Sequence, residues 1–135
     1  QGLLHDLGAT PVVVDAFDIG ALKRILREAA PEQVIHQLTA LPKTGVRRAS
    51  DVEPTNRLRD EGTRNLLDAA IEAGARRFIG GSFAILGAAG DGTGSSDRAA
   101  LAVRSMETQI LDAARTGAIE GIVLRYGLFY GPGNP

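Results

Sequence analysis

Apolar residues follow two different spacings along the chain, and the two spacings alternate. Four short runs are almost continuously apolar, which is typical of strands that are buried on both faces. Those runs are PVVVD, QVIHQL, RRFIGGS and EGIVLRY. Between them, apolar residues return every three or four positions, and this spacing predicts helices over residues 19–30, 55–73 and 97–116. Strands that alternate with helices in this way predict an α/β fold built on a parallel sheet.

Residues that favour helix ends flank the predicted helices. Asp18 and Asp97 stand where two of them start and could accept hydrogen bonds from free N–H groups. Gly74 and Gly117 follow the second and third helices, where a glycine often takes the left-handed conformation that ends a helix. Local chemistry therefore supports the same boundaries as the apolar pattern.

Composition limits the classes of protein to which the chain can belong. With 135 residues it forms one domain at most. Its 15 basic and 16 acidic residues are interspersed and give a net charge of −1, which argues against a nucleic-acid or anionic-membrane partner. No apolar run approaches the ~18 residues of a membrane span. The chain has no cysteine, so disulfides and thiol nucleophiles are excluded, and a cytoplasmic location is expected.

Candidate binding residues stand where the predicted strands end. In a doubly wound parallel sheet, ligands bind beyond the carboxyl ends of the strands. Small or turn-forming residues follow each predicted strand, so a flat ligand could approach the backbone there. Any loop between a strand and a helix needs the same residue types, and a purely structural role is an equal alternative. His36 is predicted to be a hydrogen-bonded structural residue, and with His5 as the only other histidine no histidine cluster can hold a metal.

The order and spacing of four longer motifs are more specific. They are VVVDAFD, PEQVIHQLTA, EGTRNLLDAAIEAGARRFIGGSFAILG and VLRYGLFYGPG. With these motifs the chain resembles the extended short-chain dehydrogenase/reductase family, also described as NAD-dependent epimerases/dehydratases. The resemblance implies a partial Rossmann-type doubly wound parallel sheet of about four strands and three helices, with residues 1–135 as a single domain. It also implies NAD or NADP as the cofactor and, in a full-length parent, a small sugar-like or hydroxy/keto substrate.

The resemblance assigns roles to individual positions. Ser82 matches the serine that polarises the substrate carbonyl or hydroxyl in this family, and it is the candidate catalytic residue. Asp15 matches the acidic residue that holds the adenine amine. Residues 38–40 match those that line the cofactor's ribose and phosphates, and residues 126–127 match the segment beside the nicotinamide. The expected cofactor-binding residues are Asp15, Ala16, Leu38, Thr39, Ala40, Tyr126 and Gly127.

Three departures from the family pattern bear on catalysis. The family's Tyr-x-x-x-Lys pair, in which the lysine lowers the tyrosine pKa, cannot be built anywhere in this chain. Its positions fall near Ala99 or Ala100 and near Val103 or Arg104. The Gly-x-x-Gly-x-x-Gly turn that holds the pyrophosphate is missing, and GAAGDGTG follows the wrong strand to replace it. The asparagine of the family's Asn-Val-x-Gly-Thr pattern is Arg59 here, which weakens the relay that supports the active site.

The two ends of the chain suggest an interior piece of a longer protein. The first residue is Gln1 rather than Met, and the segment begins where the family's second helix ends. The family's first βαβ unit and its substrate domain are therefore expected to be absent. In the strand order 3-2-1-4-5-6, the two absent strands lie between PVVVD and QVIHQL. PVVVD would then pair directly with QVIHQL, pair with another chain, or belong to a longer protein, and all three alternatives stay open.

The sequence leaves two functions open. The first is an NAD(P)-dependent epimerase/dehydratase/reductase-like activity of the parent, with this chain by itself inactive and binding NAD(P) weakly or not at all. The second is a non-catalytic NAD(P)-binding sensor, or a fold remnant that acts through oligomer contacts. A homo-oligomer is expected, because the helices at 55–73 and 97–116 often form a dimer interface in this family. Candidate contacts, which could equally cover the sheet, are Leu58, Ala69, Ala102 and Met106.

Overall fold

A parallel three-stranded sheet lies at the centre of the computed structural model, which describes residues 2–42, 45–84, 95–127 and 130–131. The strands are β1 (Gln33–His36), β2 (Arg77–Phe83) and β3 (Glu120–Tyr126), in that spatial order. Both neighbouring pairs are parallel, with Gln33 opposite Arg77 and Arg77 opposite Glu120. Because two parallel strands need a crossover connection, a helical segment joins the strands of each pair. The predicted partial α/β fold with a parallel sheet is confirmed.

Helices connect and cover the strands. They are α1 (Gly2–Asp6), α2 (Ile19–Ala29), α3 (Glu53–Arg57), α4 (Thr63–Glu72) and α5 (Ser95–Arg115). A 3₁₀ turn at Ala49–Val52 precedes α3, and a π-helical turn at Leu58–Gly62 joins α3 to α4. The helix predicted over residues 55–73 is therefore one continuous segment with a wider turn inside it, and such turns are frequent at functional sites. Within the described ranges, no helix is both long and apolar enough to cross a membrane.

Local chemistry sets the helix ends largely as predicted. The carboxylate of Asp18 accepts a hydrogen bond from the N–H of Ala21 at 2.9 Å and so caps α2. Gly74 and Gly117 take φ angles of 79° and 74° after α4 and α5, a conformation that glycine adopts without strain. The third predicted start is two residues late, since α5 begins at Ser95 rather than at Asp97.

The hydrophobic core lies between the sheet and helices α4 and α5. Its buried members are Val34, Leu67, Ala70, Ala75, Phe78, Val103, Met106, Ile110 and Ile119. Helix α5 approaches β3 closely at Gly121, where a Cβ would lie 2.5 Å from the carbonyl oxygen of Ile110. Burial alternates along β1 and β2, with residues such as Val34 and Phe78 buried and Ile35 exposed. The expectation of strands buried on both faces is therefore wrong for the described part of the chain.

The first predicted strand, PVVVD, is not a strand. Residues 11–15 have no neighbour in the sheet, whose order begins at β1, and Val12 and Val13 are exposed. A β-branched sequence becomes a strand only when its backbone N–H and C=O groups find a partner strand. Direct pairing of PVVVD with QVIHQL does not occur, since β1 pairs only with β2. The described sheet therefore has three strands instead of about four.

Candidate functional site

The carboxyl ends of the three strands meet at one edge of the sheet. The register places His36 beside Gly80, Ser82 beside Arg125 and Phe83 beside Tyr126. Just beyond β1, the side-chain amide of Gln37 donates a hydrogen bond to the Tyr126 hydroxyl at 2.8 Å. Polar and aromatic side chains from all three strands therefore lie together where ligands bind in such sheets.

The side chain of Ser82, the candidate catalytic serine, is fully buried and already partnered. Its hydroxyl donates a short hydrogen bond to Oε1 of Glu107, which α5 places against β2 with 6% of its surface exposed. Arg125 on β3 holds both oxygens of that carboxylate, with Nε 3.0 Å from Oε1 and Nη2 2.5 Å from Oε2. The hydrogen bond from Arg125 lowers the Glu107 pKa, and the one from Ser82 adds to this. Glu107 is therefore ionised at neutral pH, and it accepts the only hydrogen bond that the Ser82 hydroxyl can donate.

The helix face that carries Glu107 shows what replaces the Tyr-x-x-x-Lys pair. Residues three, four or seven positions apart lie on one face of a helix. Counting back from Glu107, this face includes Val103 and Ala100, which are 1% and 4% exposed, whereas Arg104 is exposed. Each of the two frames left open by the sequence, Ala99 with Val103 and Ala100 with Arg104, therefore contributes one buried residue, Val103 and Ala100 respectively. Neither Ala100 nor Val103 carries a group that could transfer a proton in place of a tyrosine.

His36 forms two hydrogen bonds inside the fold. Its Nδ1 accepts from the backbone N–H of Leu38 at 3.3 Å, so the ring proton lies on Nε2, which is 2.9 Å from the hydroxyl oxygen of Thr63. Burial, and secondarily the charge of Arg59, lowers the pKa of His36 to about 4. The ring is therefore neutral at pH 7. These contacts agree with the predicted structural role.

The residues predicted to hold the adenine end of a dinucleotide border one cavity. Residues 12–16 face residues 34–38 across about 590 Å³ of open space with mainly apolar walls. Asp15 is exposed there, and its Oδ1 accepts a hydrogen bond from the N–H of Phe17 at 2.9 Å. The carbonyl of Ala16 is fixed by the side-chain amide of Asn65 at 3.2 Å. Asp15, Ala16 and Leu38 thus border the same cavity, and their role in binding the adenosine half of a dinucleotide stays a prediction.

A second, smaller cavity lies at the nicotinamide end of the predicted site. It measures about 150 Å³, and Thr39, Tyr126, His36, Arg59 and Phe83 are among its lining residues. Ser82 lines neither cavity. The backbone N–H of Ala40 donates a hydrogen bond to the hydroxyl oxygen of Thr55 at 2.9 Å. Gly127 is exposed just after β3. Of the predicted residues, Asp15 and Ala16 thus line the larger cavity, Thr39 and Tyr126 the smaller one, and Leu38 both. Ala40, Gly127 and the buried Ser82 line neither.

The structure bears on three further sequence-based expectations: the loop motifs, the oligomer contacts and the metal ligands. The segment GAAGDGTG and the second half of YGPG, residues 132–133, lie outside the described residues. Of the proposed oligomer contacts, Ala69 and Met106 are buried within this chain, which favours their covering the sheet, whereas Leu58 and Ala102 are half-buried. Among the described side chains, no group of three or more His, Cys, Asp or Glu residues could hold a metal ion.

Two residues of the site were missed or undervalued by sequence reasoning. Glu107 lies 25 positions from Ser82, and only the packing of α5 on β2 brings the two together. Arg59 was noted as a departure from the family, but its burial was not predicted. The π-helical turn leaves it 8% exposed, with its guanidinium carbon 5.0 Å from the centre of the Phe83 ring.

The sequence is similar to a curated protein of known activity. The 3-diazoavenalumate denitrifying reductase of a Streptomyces species is 37% identical over 149 residues. The match covers 99% of this chain and 49% of the relative. The chain therefore spans about half the length of that protein.

Solved structures resemble the fold over most of this chain. The UDP-glucose 4-epimerase of Thermus thermophilus, in complex with NAD, gives a TM-score of 0.73 at 24% identity, covering 95% of this chain and 44% of that one. The UDP-glucose 4-epimerase of Thermotoga maritima, with UDP-glucose, gives 0.71 at 26% identity, covering 92% and 43%. Residues 2–135 match the NAD dependent epimerase/dehydratase family. Since that match spans nearly the whole sequence, the chain belongs to the NAD dependent epimerase/dehydratase family.

Proposed function

We propose that these residues are part of an NAD(P)-dependent reductase whose hydride acceptor needs no proton from a tyrosine. The observation that carries this proposal is the face of α5 that packs on the sheet beside Ser82. That face bears Glu107, Val103 and Ala100, and the whole helix contains neither tyrosine nor lysine. The Ser82 hydroxyl donates to Glu107 and is not free to donate to a substrate oxygen.

The missing tyrosine limits the class of reaction that such a site can support. Reducing a carbonyl, or oxidising an alcohol, moves a proton to or from oxygen together with the hydride, and a side chain must carry that proton. A diazonium group differs, because its leaving group is N₂ and no oxygen has to be protonated. The relative at 37% identity is named as a denitrifying reductase of a diazo compound. We therefore assign this chain's parent the same class of acceptor, an aromatic diazo compound.

The protein's own residues would bind and orient the reactants. Asp15, Ala16 and Leu38 would hold the adenosine half of the cofactor. A reduced nicotinamide, when bound, supplies a hydride that forms the new C–H bond while the C–N bond breaks and its electron pair leaves with N₂. The Gln37–Tyr126 hydrogen bond would fix the wall of the smaller cavity beside the acceptor. The ion pair of Glu107 with Arg125 would keep Ser82 in place under this wall.

Substrate preference tests the proposal. The whole protein is incubated with NADH or NADPH and a hydroxybenzenediazonium salt, with UDP-glucose and a simple ketone as competing substrate classes and a protein-free reaction as the control. We expect cofactor oxidation and N₂ release in equal amounts with the diazonium salt only. Epimerisation of UDP-glucose, or ketone reduction at a similar rate, would contradict the proposal and support the sugar-like or keto substrate predicted from sequence. The cytoplasmic location and the homo-oligomer stay predictions.

A further inference from the structure

Arg59 is a buried cation without a counter-ion. Its side chain is 8% exposed, and within the described part of the chain its guanidinium makes no ion pair and no hydrogen bond. Its guanidinium carbon lies over the Phe83 ring, 5.0 Å from the ring centre, in a cation–π contact. Burying an unpaired charge is costly, and proteins normally pair such groups. Burial accordingly lowers the pKa of Arg59.

The acidic residues that follow Arg59 in the chain are committed to other partners. Asp60 accepts hydrogen bonds from Ser105 at 2.6 Å and from Arg64 at 3.2 Å. Glu61 pairs with Arg57 at 2.7 Å. Neither carboxylate can therefore neutralise Arg59 without breaking an existing contact.

The unpaired guanidinium lines the smaller cavity. The other polar groups around that space are uncharged: the His36 ring is neutral, and Gln37 and Tyr126 are hydrogen-bonded to each other. At about 150 Å³ the cavity is too small for a whole nucleotide and is the size of a space that can hold a benzene-sized molecule. The site thus offers one positive charge, a flat two-pronged donor and an aromatic wall formed by Phe83.

We propose that Arg59 binds the carboxylate of a small organic acid in this cavity. A guanidinium pairs with a carboxylate through two parallel hydrogen bonds, and one negative charge balances one positive charge. A phosphate dianion would be only half neutralised by the single cation. The Phe83 ring would lie against the apolar part of the acid. The assignment concerns binding alone and does not depend on the reductase proposal.

Titration of this chain with benzoate tests the assignment directly, with acetate and inorganic phosphate as comparison anions. Two signals are followed: the thermal unfolding midpoint, and the ring resonances of the two histidines. An anion beside Arg59 removes part of the charge that lowers the His36 pKa, so that pKa should rise on binding. His5 is exposed and serves as the control. Its ring signals should not change when an anion binds beside Arg59, and a change in them would indicate a general salt effect.

Three variants separate recognition from structure. Arg59→Gln removes the charge, and Arg59→Lys keeps the charge but loses the two-pronged geometry. Arg64→Gln is the matched control, because it removes an exposed arginine from the same helical segment. Since a hydrogen-bonded charge contributes about 1.5–3 kcal/mol, Arg59→Gln should weaken benzoate binding roughly tenfold to a hundredfold, and Arg64→Gln should leave it unchanged.

Each outcome decides for or against the assignment. Saturable benzoate binding by the natural chain and Arg64→Gln, with a rise in the His36 pKa, supports it. No saturable response in the natural chain, or equal binding by Arg59→Gln, would overturn it and leave Arg59 with its contact to Phe83 alone. Tighter binding of phosphate than of benzoate would overturn the choice of a carboxylate. If Arg59→Gln does not fold, the natural chain and Arg59→Lys still give the answer, since Arg59→Lys should bind more weakly than the natural chain.

Discussion

The buried, neutral His36 should make the free energy of unfolding depend on pH. Its pKa is about 4 in the folded chain, and the unfolded value is 6.5. As the pH falls below 6.5, the unfolded chain takes up a proton on this ring before the folded chain does. The histidine's contribution to stability is therefore fully present above pH 6.5 and is lost as the pH falls toward 4. Each pKa unit corresponds to about 1.4 kcal/mol, so the total loss is about 3 kcal/mol, of which about 2 kcal/mol falls between pH 7 and pH 5.

Urea unfolding at a series of pH values between 7 and 5 measures this effect. Most carboxylates stay ionised in that interval, so the slope reports mainly on histidine. His36→Gln should remove the slope whatever its stability at pH 7, and His5→Gln, a change at an exposed site, should retain it. A slope that survives in His36→Gln, or a His36 ring signal that titrates near pH 6.5 in the folded chain, would refute the reasoning.

Three further predictions follow from packing and charge. Gly121→Ala should lower the free energy of unfolding in urea by about 1–3 kcal/mol, because the new Cβ meets the carbonyl oxygen of Ile110 at 2.5 Å. Gly20→Ala is the control: its new Cβ would lie at an ordinary contact distance of 3.4 Å from Oδ1 of Asp18 and should not destabilise the chain, so equal losses in the two variants would contradict the packing. Glu107→Ala should lower the free energy of unfolding by about 2–4 kcal/mol, since it leaves the buried Ser82 hydroxyl unpaired. Glu61→Ala, which removes a surface ion pair, is the control, and an equal loss in the two variants would argue against the Ser82–Glu107–Arg125 network. Calorimetric titration of the 135-residue chain with NAD(P) should show weak or absent binding, and micromolar affinity would be contrary to this.

Much of the fold could be predicted from the sequence because it depends on local patterns. The apolar run EGIVLRY coincides with β3, and the helix end at Gly74 follows from glycine's conformational freedom. PVVVD failed as a strand because pairing is not a local property. The same β-branched residues that favour a strand lie unpaired beside an open cavity in this chain.

The site was less predictable than the fold, because its decisive contacts join distant residues. Motif matching found Ser82 and the loss of Tyr-x-x-x-Lys, and these remain the basis of the functional assignment. It could not show that Glu107 accepts the hydrogen bond of the Ser82 hydroxyl, since no spacing rule links α5 to the end of β2. Nor could it show that a π-helical turn buries Arg59, because the helical pattern reads almost the same with or without that turn.

The central claim, that hydride is transferred without a tyrosine proton donor, is tested most directly by isotope transfer. The whole protein is supplied with nicotinamide cofactor deuterated at the hydride position, together with the hydroxybenzenediazonium salt, and the product is analysed by mass spectrometry. The account predicts one deuterium per product molecule, at the carbon that carried N₂. A denitrified product without deuterium would contradict it.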